Sequence, residues 1–202
     1  MADRQRVPLD DLTAVSHPVR RRILEHLELH GPDTVGGLAA ALGQQVGSVS
    51  HHLKVLDRSG FVAPAPELAR DRRESWWRGV PRPLSWSVVD FADSPADRLL
   101  AATHERANLD HHVGKVLAWL AERDDPDGDW SPTWQQAAFS TDGWGTATAA
   151  ELHDLGQRLN TLVVAWAEEC KAAAAREAEL DPAERPERVP AFVFAHGNPS
   201  RP

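Results

Sequence analysis

Residues 34–60, TVGGLAAALGQQVGSVSHHLKVLDRSG, decide how the first half of this chain folds. Thr34, or Asp33 before it, is a side chain that caps a helix N-terminus, and Val35, Leu38 and Leu42 follow at spacings of three and four. Gly43 ends that helix. After Gln44-Gln45 a second helix carries Val49, Leu53 and Leu56 on one face and closes at Ser59-Gly60. A short helix, a tight glycine turn and a second helix make a helix-turn-helix, whose second helix fits a major groove about 12 Å wide.

At about 100° per residue, with Val49, Leu53 and Leu56 inward, Gly47, His51, Lys54 and Arg58 point most nearly outward. Ser48 and Ser50 lie on the flanks, and His52 falls toward the buried side. The outward face is therefore small, polar or basic, which suits close approach to base edges. Gln44, Gln45, Ser48 and His51 can hydrogen-bond to bases, whereas Lys54 and Arg58 are better placed for phosphates. The same helix pair also serves as a protein-docking module, with this face simply solvated.

The flanks extend the pattern on both sides. Upstream, Pro8 opens a short helix to His17, and Pro18 starts another with Val19, Ile23, Leu24 and Leu27 on one face until Gly31-Pro32. Downstream, Phe61-Val62-Ala63 and Glu74 to Val80 read as two short strands around a basic tip, a wing. Arg70, Arg72 and Arg73 at that tip suit flanking phosphates or the minor groove. Pro81-Arg82-Pro83 is a stiff break, so residues 1–81 are expected to be a DNA-binding winged helix-turn-helix domain. Residues 82–202 are then a dimerisation and candidate effector domain.

Leu12 to Leu27, LTAVSHPVRRRILEHL, resembles the opening of ArsR-type winged-helix regulators, and Val49 to Val62, VSHHLKVLDRSGFV, is similar to their recognition helix and first wing strand. The resemblance spans roughly residues 9–80. It implies a homodimeric transcription regulator, usually a repressor, whose hold on its operator is governed by an effector. It also implies DNA contact by Ser48 to His51. Members that sense metal through thiols carry a cysteine pair near the recognition helix, and this region has none.

The second half is read as long helices with two or three strands. Ser94-Pro95 opens a helix to about Arg123, and Leu152, Leu155, Leu159, Leu162, Val163 and Trp166 mark another. Gln136–Ser140 and Val189–Ala195 are expected to be paired strands. Asp97, His104 and His111 line up seven apart, about 10.5 Å per step, too far for one ion on one helix. They are read as a solvated polar stripe. His26 and His30 have chelating spacing, but a helix C-terminus accounts for His30 without metal. No metal or cofactor is expected. Trp130, Trp134 and Trp144 stand in loop or strand-edge contexts, where they could wall a ligand pocket, although core or interface packing is the simpler role.

The 202 residues hold one cysteine, Cys170, which excludes a disulfide framework, and neither a signal peptide nor a membrane-length apolar run is seen. A cytoplasmic protein is expected. The net charge of −8 is uneven, with residues 1–90 holding 12 Lys and Arg against 11 Asp and Glu, and residues 91–202 holding 10 against 19. An acidic second half repels DNA, which fits a role away from the duplex. The expectation is a mostly α fold with a small β component, and a homodimeric regulator of double-stranded DNA open to a small-molecule effector. The dimer is expected from the apolar stripes of the first helix and of the helix after Pro95. No constellation of nucleophile, base and orienting group is seen, so an enzyme is not expected. The rival is a winged helix used for protein interaction or attached to an enzyme, without sequence-specific DNA binding.

Overall fold

A computed structural model describes residues 7–71, 74–82 and 86–201. Helix α1 (Leu9–Ser16) is followed at once by α2 (Pro18–His30), because Pro18 needs no N–H partner in a first helical turn. His17 caps α2, its Nδ1 accepting from the N–H of Val19 at 3.2 Å. Then come β1 (Asp33–Thr34), α3 (Val35–Leu42) and α4 (Val46–Arg58). The wing is β2 (Val62–Pro64) and β3 (Trp76–Gly79), and the chain continues in α5 (Pro95–Arg123), α6 (Pro132–Ala137) and α7 (Ala149–Glu177). The fold is mostly helical with one small antiparallel sheet, as the sequence led us to expect.

That sheet has three strands in the order β1-β3-β2, one more than the sequence reading counted. Asp33 and Thr34 pair with Trp77 and Trp76, so β3 is central and both its neighbours are short. Two residues are too few to show an alternating pattern, and β1 exists only because β3 lies beside it.

The main core joins four helices and the sheet, with Ala14 as the contribution of α1. Ile23 and Leu27 of α2, Leu38 and Leu42 of α3, and Val49, Leu53 and Leu56 of α4 are buried with Phe61, Val62 and Trp77. Each large apolar side chain buried this way stabilises the fold by about 1.5–3 kcal/mol. Arg20 is buried as well. Its Nη2 donates to the Thr13 carbonyl at 2.7 Å and its Nε to that of Ala14, so it satisfies carbonyls that the end of α1 leaves without helical partners.

A second cluster, Leu12, Phe91 and Ala101, docks the start of α5 on α1. Here two expectations are corrected. The apolar residues of α1, Leu12 and Ala14, are covered within the chain itself and need no partner subunit. The stripe on α5 is not simply solvated: His104 Nε2 lies 3.2 Å from Thr13 Oγ1, and His111 Nε2 lies 2.8 Å from Glu25 Oε1. Helical spacing reports which residues share a face, not what that face meets.

The chain divides between Gly114 and Lys115, within α5, into two compact units. In the second unit, α7 opens on a capping box in which Thr148 Oγ1 accepts from Glu151 N and Glu151 Oε2 accepts from Thr148 N at 2.7 Å. The expected strands at Gln136–Ser140 and Val189–Ala195 do not form. Ser131 caps α6, its Oγ accepting from the N–H of Trp134, and Pro132 stands at the first helical position, so local helix signals claim Gln136 and Ala137. With no ladder partner, Val189–Ala195 is irregular. Among the described residues no helix is long and apolar enough to cross a membrane.

Candidate nucleic-acid interface

The turn that aims α4 is set by backbone geometry at Gly43. Its φ of 63° and ψ of 39° are left-handed values that a side chain disfavours. The N–H of Gln44 then reaches back to the carbonyl of Ala39 at 2.9 Å, closing α3. At the other end of α3, Thr34 Oγ1 accepts from Gly37 N at 2.9 Å. Asp33 Oδ2 lies 2.9 Å from His26 Nε2, tying α2 to β1, so His26 has a protein partner.

On α4 the division of faces is clean. Val49, Leu53 and Leu56 have no accessible surface, while Gly47, His51, Lys54 and Arg58 are exposed and Ser48 and Ser50 are half-buried. Gln45 is exposed at the N-cap, and its side chain makes no bond to the helix. The first N–H groups of α4 are therefore open to an acceptor such as a phosphate oxygen. Gln44 is half-buried, its Nε2 donating to the Gly43 carbonyl at 3.3 Å. Arg58 Nε donates back to the Lys54 carbonyl at 3.2 Å, which leaves the rest of its guanidinium facing outward.

Beneath this face lies an imidazole cluster. His52 is 9% exposed and its Nδ1 has no hydrogen-bond partner; its ring centroid is 4.6 Å from that of His17 and 5.6 Å from that of His51. Burial pushes His17 and His52 below the usual imidazole range, and the Arg20 guanidinium and neighbouring imidazoles push the same way.

In the wing, Ala63 faces Arg78 and Pro64 faces Trp77 across the β2–β3 pair. Arg70 is exposed at the tip, and its N–H donates to Glu74 Oε2 at 2.9 Å. Glu74 also accepts from Trp76 Nε1 at 3.0 Å, and these two bonds hold its carboxyl below the usual range. Arg72 and Arg73 lie outside the described residues. Trp130, Trp134 and Trp144 are each placed differently. Trp130 donates to Glu122 and meets the Trp119 ring edge-on at 5.1 Å; Trp134 donates to Glu187; Trp144 is 84% exposed.

Two further exposed residues stand beside this candidate face and are absent from the sequence reading. Val46 precedes Val49 by three and Leu53 by seven, which reads as core, yet it is 57% exposed at the first position of α4. Its position beyond the packed edge is a tertiary fact. Arg78 is exposed on β3 and ion-paired with Glu67. Its place in a basic stretch was the one available signal.

Residues 17–63 match the family described as "Bacterial regulatory protein, arsR family". The match runs from the cap of α2 through α3 and α4 into β2, so it takes in the whole helix-turn-helix. A search of curated proteins found no match. Among solved structures, a transcriptional regulator from Thermotoga maritima is 19% identical over 52% of this chain and 72% of its own, with a TM-score of 0.30. A MarR family transcription regulator is 20% identical over 79% of this chain and 80% of its own, with a TM-score of 0.32.

Proposed function

We propose that this chain, with its ArsR-type helix-turn-helix, is a DNA-binding transcriptional regulator that reads a pseudo-palindromic operator as a homodimer and acts as a repressor. The observation that carries this reading is the face of α4. A small, polar and basic surface stands outward over a fully buried aliphatic one, within the segment that matches the family.

In this reading α4 enters the major groove. Gln45, Ser48 and His51 read base edges, with Gln44 at the rim, and Gly47 allows close approach. Val46 meets a thymine methyl. Ser50, Lys54, Arg58, Arg70, Arg72, Arg73 and Arg78 contact or approach phosphates, with Glu67 displaced from Arg78. The dimer is supported by α5, where Leu99 is 70% and Leu117 60% exposed. Its half-sites would lie about 34–36 Å apart. Effector control is part of the proposal, with Trp130, Trp134 and Trp144 as the reporters. Quenching of their fluorescence by apolar small molecules is the matching test.

The deciding experiment is selection of duplexes from a random pool by the full-length protein. A two-fold-symmetric motif is expected, with affinity falling steeply as salt rises, by about 0.9 log unit per log unit of salt for each phosphate engaged. A protein-docking helix pair would retain no sequence above the others, and that result would replace the regulator reading.

A further inference from the structure

Arg82 stands on the chain leaving the wing and touches three separate parts of the first unit. Its Nη1 donates to the carbonyl of Ser59, the C-cap residue of α4. Its Nη2 lies 2.7 Å from Asp11 Oδ2 on α1, and its guanidinium carbon lies 4.9 Å from the centroid of the Phe61 ring. Asp11 is only 6% exposed, so its carboxylate has little water and depends on this partner. A guanidinium can do this because its donors diverge from one rigid plane, whereas an ammonium is a single point. The carbonyl it takes belongs to the negative end of the helix dipole, where a cation is favoured.

The contacts around α4 differ in kind. Val49, Leu53 and Leu56 hold it by apolar packing, which is strong but only weakly directional. The Ser59–Arg82–Asp11 chain is directional and acts at the end of the helix far from Gln45, Ser48 and His51. α4 has 13 residues, about 20 Å at 1.5 Å per residue, so a tilt of about 5° at its C-terminal end moves the other end by about 1.7 Å. A displacement of that size breaks a hydrogen bond to a base.

We infer that Arg82 is a positioning residue which, by bridging Asp11 to the end of α4, sets the angle at which the recognition helix meets DNA. This rests on the regulator reading above. It makes a prediction opposite in sign to simple electrostatics. Removing the negative charge of Asp11 would favour an anionic duplex, yet it releases Arg82 and weakens sequence-specific binding.

The test uses the full-length protein and a duplex enriched from a random pool by the wild type, beside a scrambled duplex of equal length. Affinity for both is measured for wild type, Asp11→Ala and Arg82→Lys at one salt concentration, with thermal melting recorded for each. Both variants are expected to lose about fivefold or more on the enriched duplex, the scale of a misplaced base contact. On the scrambled duplex they stay within about twofold, because no phosphate contact is lost. A merely structural role lowers the melting temperature and leaves the affinity of the folded protein alone. A direct phosphate contact by Arg82 is kept by Lys and is indifferent to Asp11. Unchanged or tighter binding by Asp11→Ala overturns the inference, and so does an equal loss on both duplexes. If Asp11→Ala fails to fold, Arg82→Lys decides alone, and wild-type affinity for the enriched duplex overturns it. Should the wild type enrich no duplex, the regulator reading falls and takes this inference with it.

Discussion

The imidazole rings of His17 and His52 stand 4.6 Å apart, centroid to centroid, with His17 capping α2 and His52 on the inner side of α4. Through its Nδ1, His17 accepts a backbone hydrogen bond, which needs an unprotonated nitrogen. His52 is buried beside it, and the Arg20 guanidinium acts on both rings. This pair joins the inner side of α4 to the cap of α2.

The pH dependence of stability follows from that. Both rings titrate below the ordinary 6.5 when folded, first from burial and then from neighbouring positive groups. On acidification through 6.5 the unfolded chain takes up protons before the native one. The stability these rings lend at neutral pH is therefore lost as pH falls below about 6.5. Urea midpoints between pH 7.5 and 5.5 check this. His17→Asn, which keeps a capping acceptor but does not titrate, should flatten the curve. A midpoint that rises on acidification would count against the assignment.

Arg20 tests how α1 is held. Replacing it with Met keeps the length but leaves the carbonyls of Thr13 and Ala14 without a donor in a buried setting. The expected loss is about 2–4 kcal/mol in denaturant unfolding. A loss below about 1 kcal/mol would show that water replaces the guanidinium.

Two glycines separate folding from function. Gly43 has φ of 63° with open space where a Cβ would stand, so Gly43→Ala costs about 1–2 kcal/mol from backbone conformation alone. Gly47 also has open space but lies in α4, so Gly47→Ala should leave stability unchanged or raise it by about 0.5 kcal/mol. The same methyl would crowd the groove and weaken DNA binding. Paired melting and binding assays check both. Wild-type DNA affinity in Gly47→Ala would remove this residue from the interface.

The outward residues of α4 divide into two classes. Lys54→Ala and Arg58→Ala are expected to weaken binding to all duplexes alike and to reduce the salt slope by about one each. Ser48→Ala and His51→Ala should leave the slope unchanged and relax sequence preference. A panel of single-base operator variants, each titrated at several salt concentrations, distinguishes the classes. Identical behaviour of all four variants would refute the division.

The exposed apolar residues of α5 give the last prediction. Leu117→Asp and Leu99→Asp should shift a sedimenting dimer toward monomer at micromolar concentration and weaken operator binding, while leaving unfolding of the single chain nearly unchanged. A wild type that sediments as a monomer would remove the dimer from the proposal.

Much of this protein is written locally. The His17-Pro18 junction, the Thr34 cap, Gly43 and the spacing of Val49, Leu53 and Leu56 act within a turn or two of the chain, and each carries its signal in neighbouring residues. Ser131-Pro132 carries the same local signal as Ser94-Pro95, a capping hydroxyl with proline at the first helical position, and it is this signal that makes Gln136 and Ala137 helical.

Helix boundaries, the two faces of α4 and the existence of a wing thus follow from periodicity and capping, which are short-range. The pairing of β1 with β3, the exposure of Val46, the docking of His104 and His111, and the bridge from Asp11 through Arg82 to Ser59 do not. Asp11 and Arg82 are 71 residues apart, and no pattern along the chain announces that one will neutralise the other. Such contacts arise only when helices already formed are packed together, because burial then leaves each charge and each open carbonyl the choice of a protein partner or none.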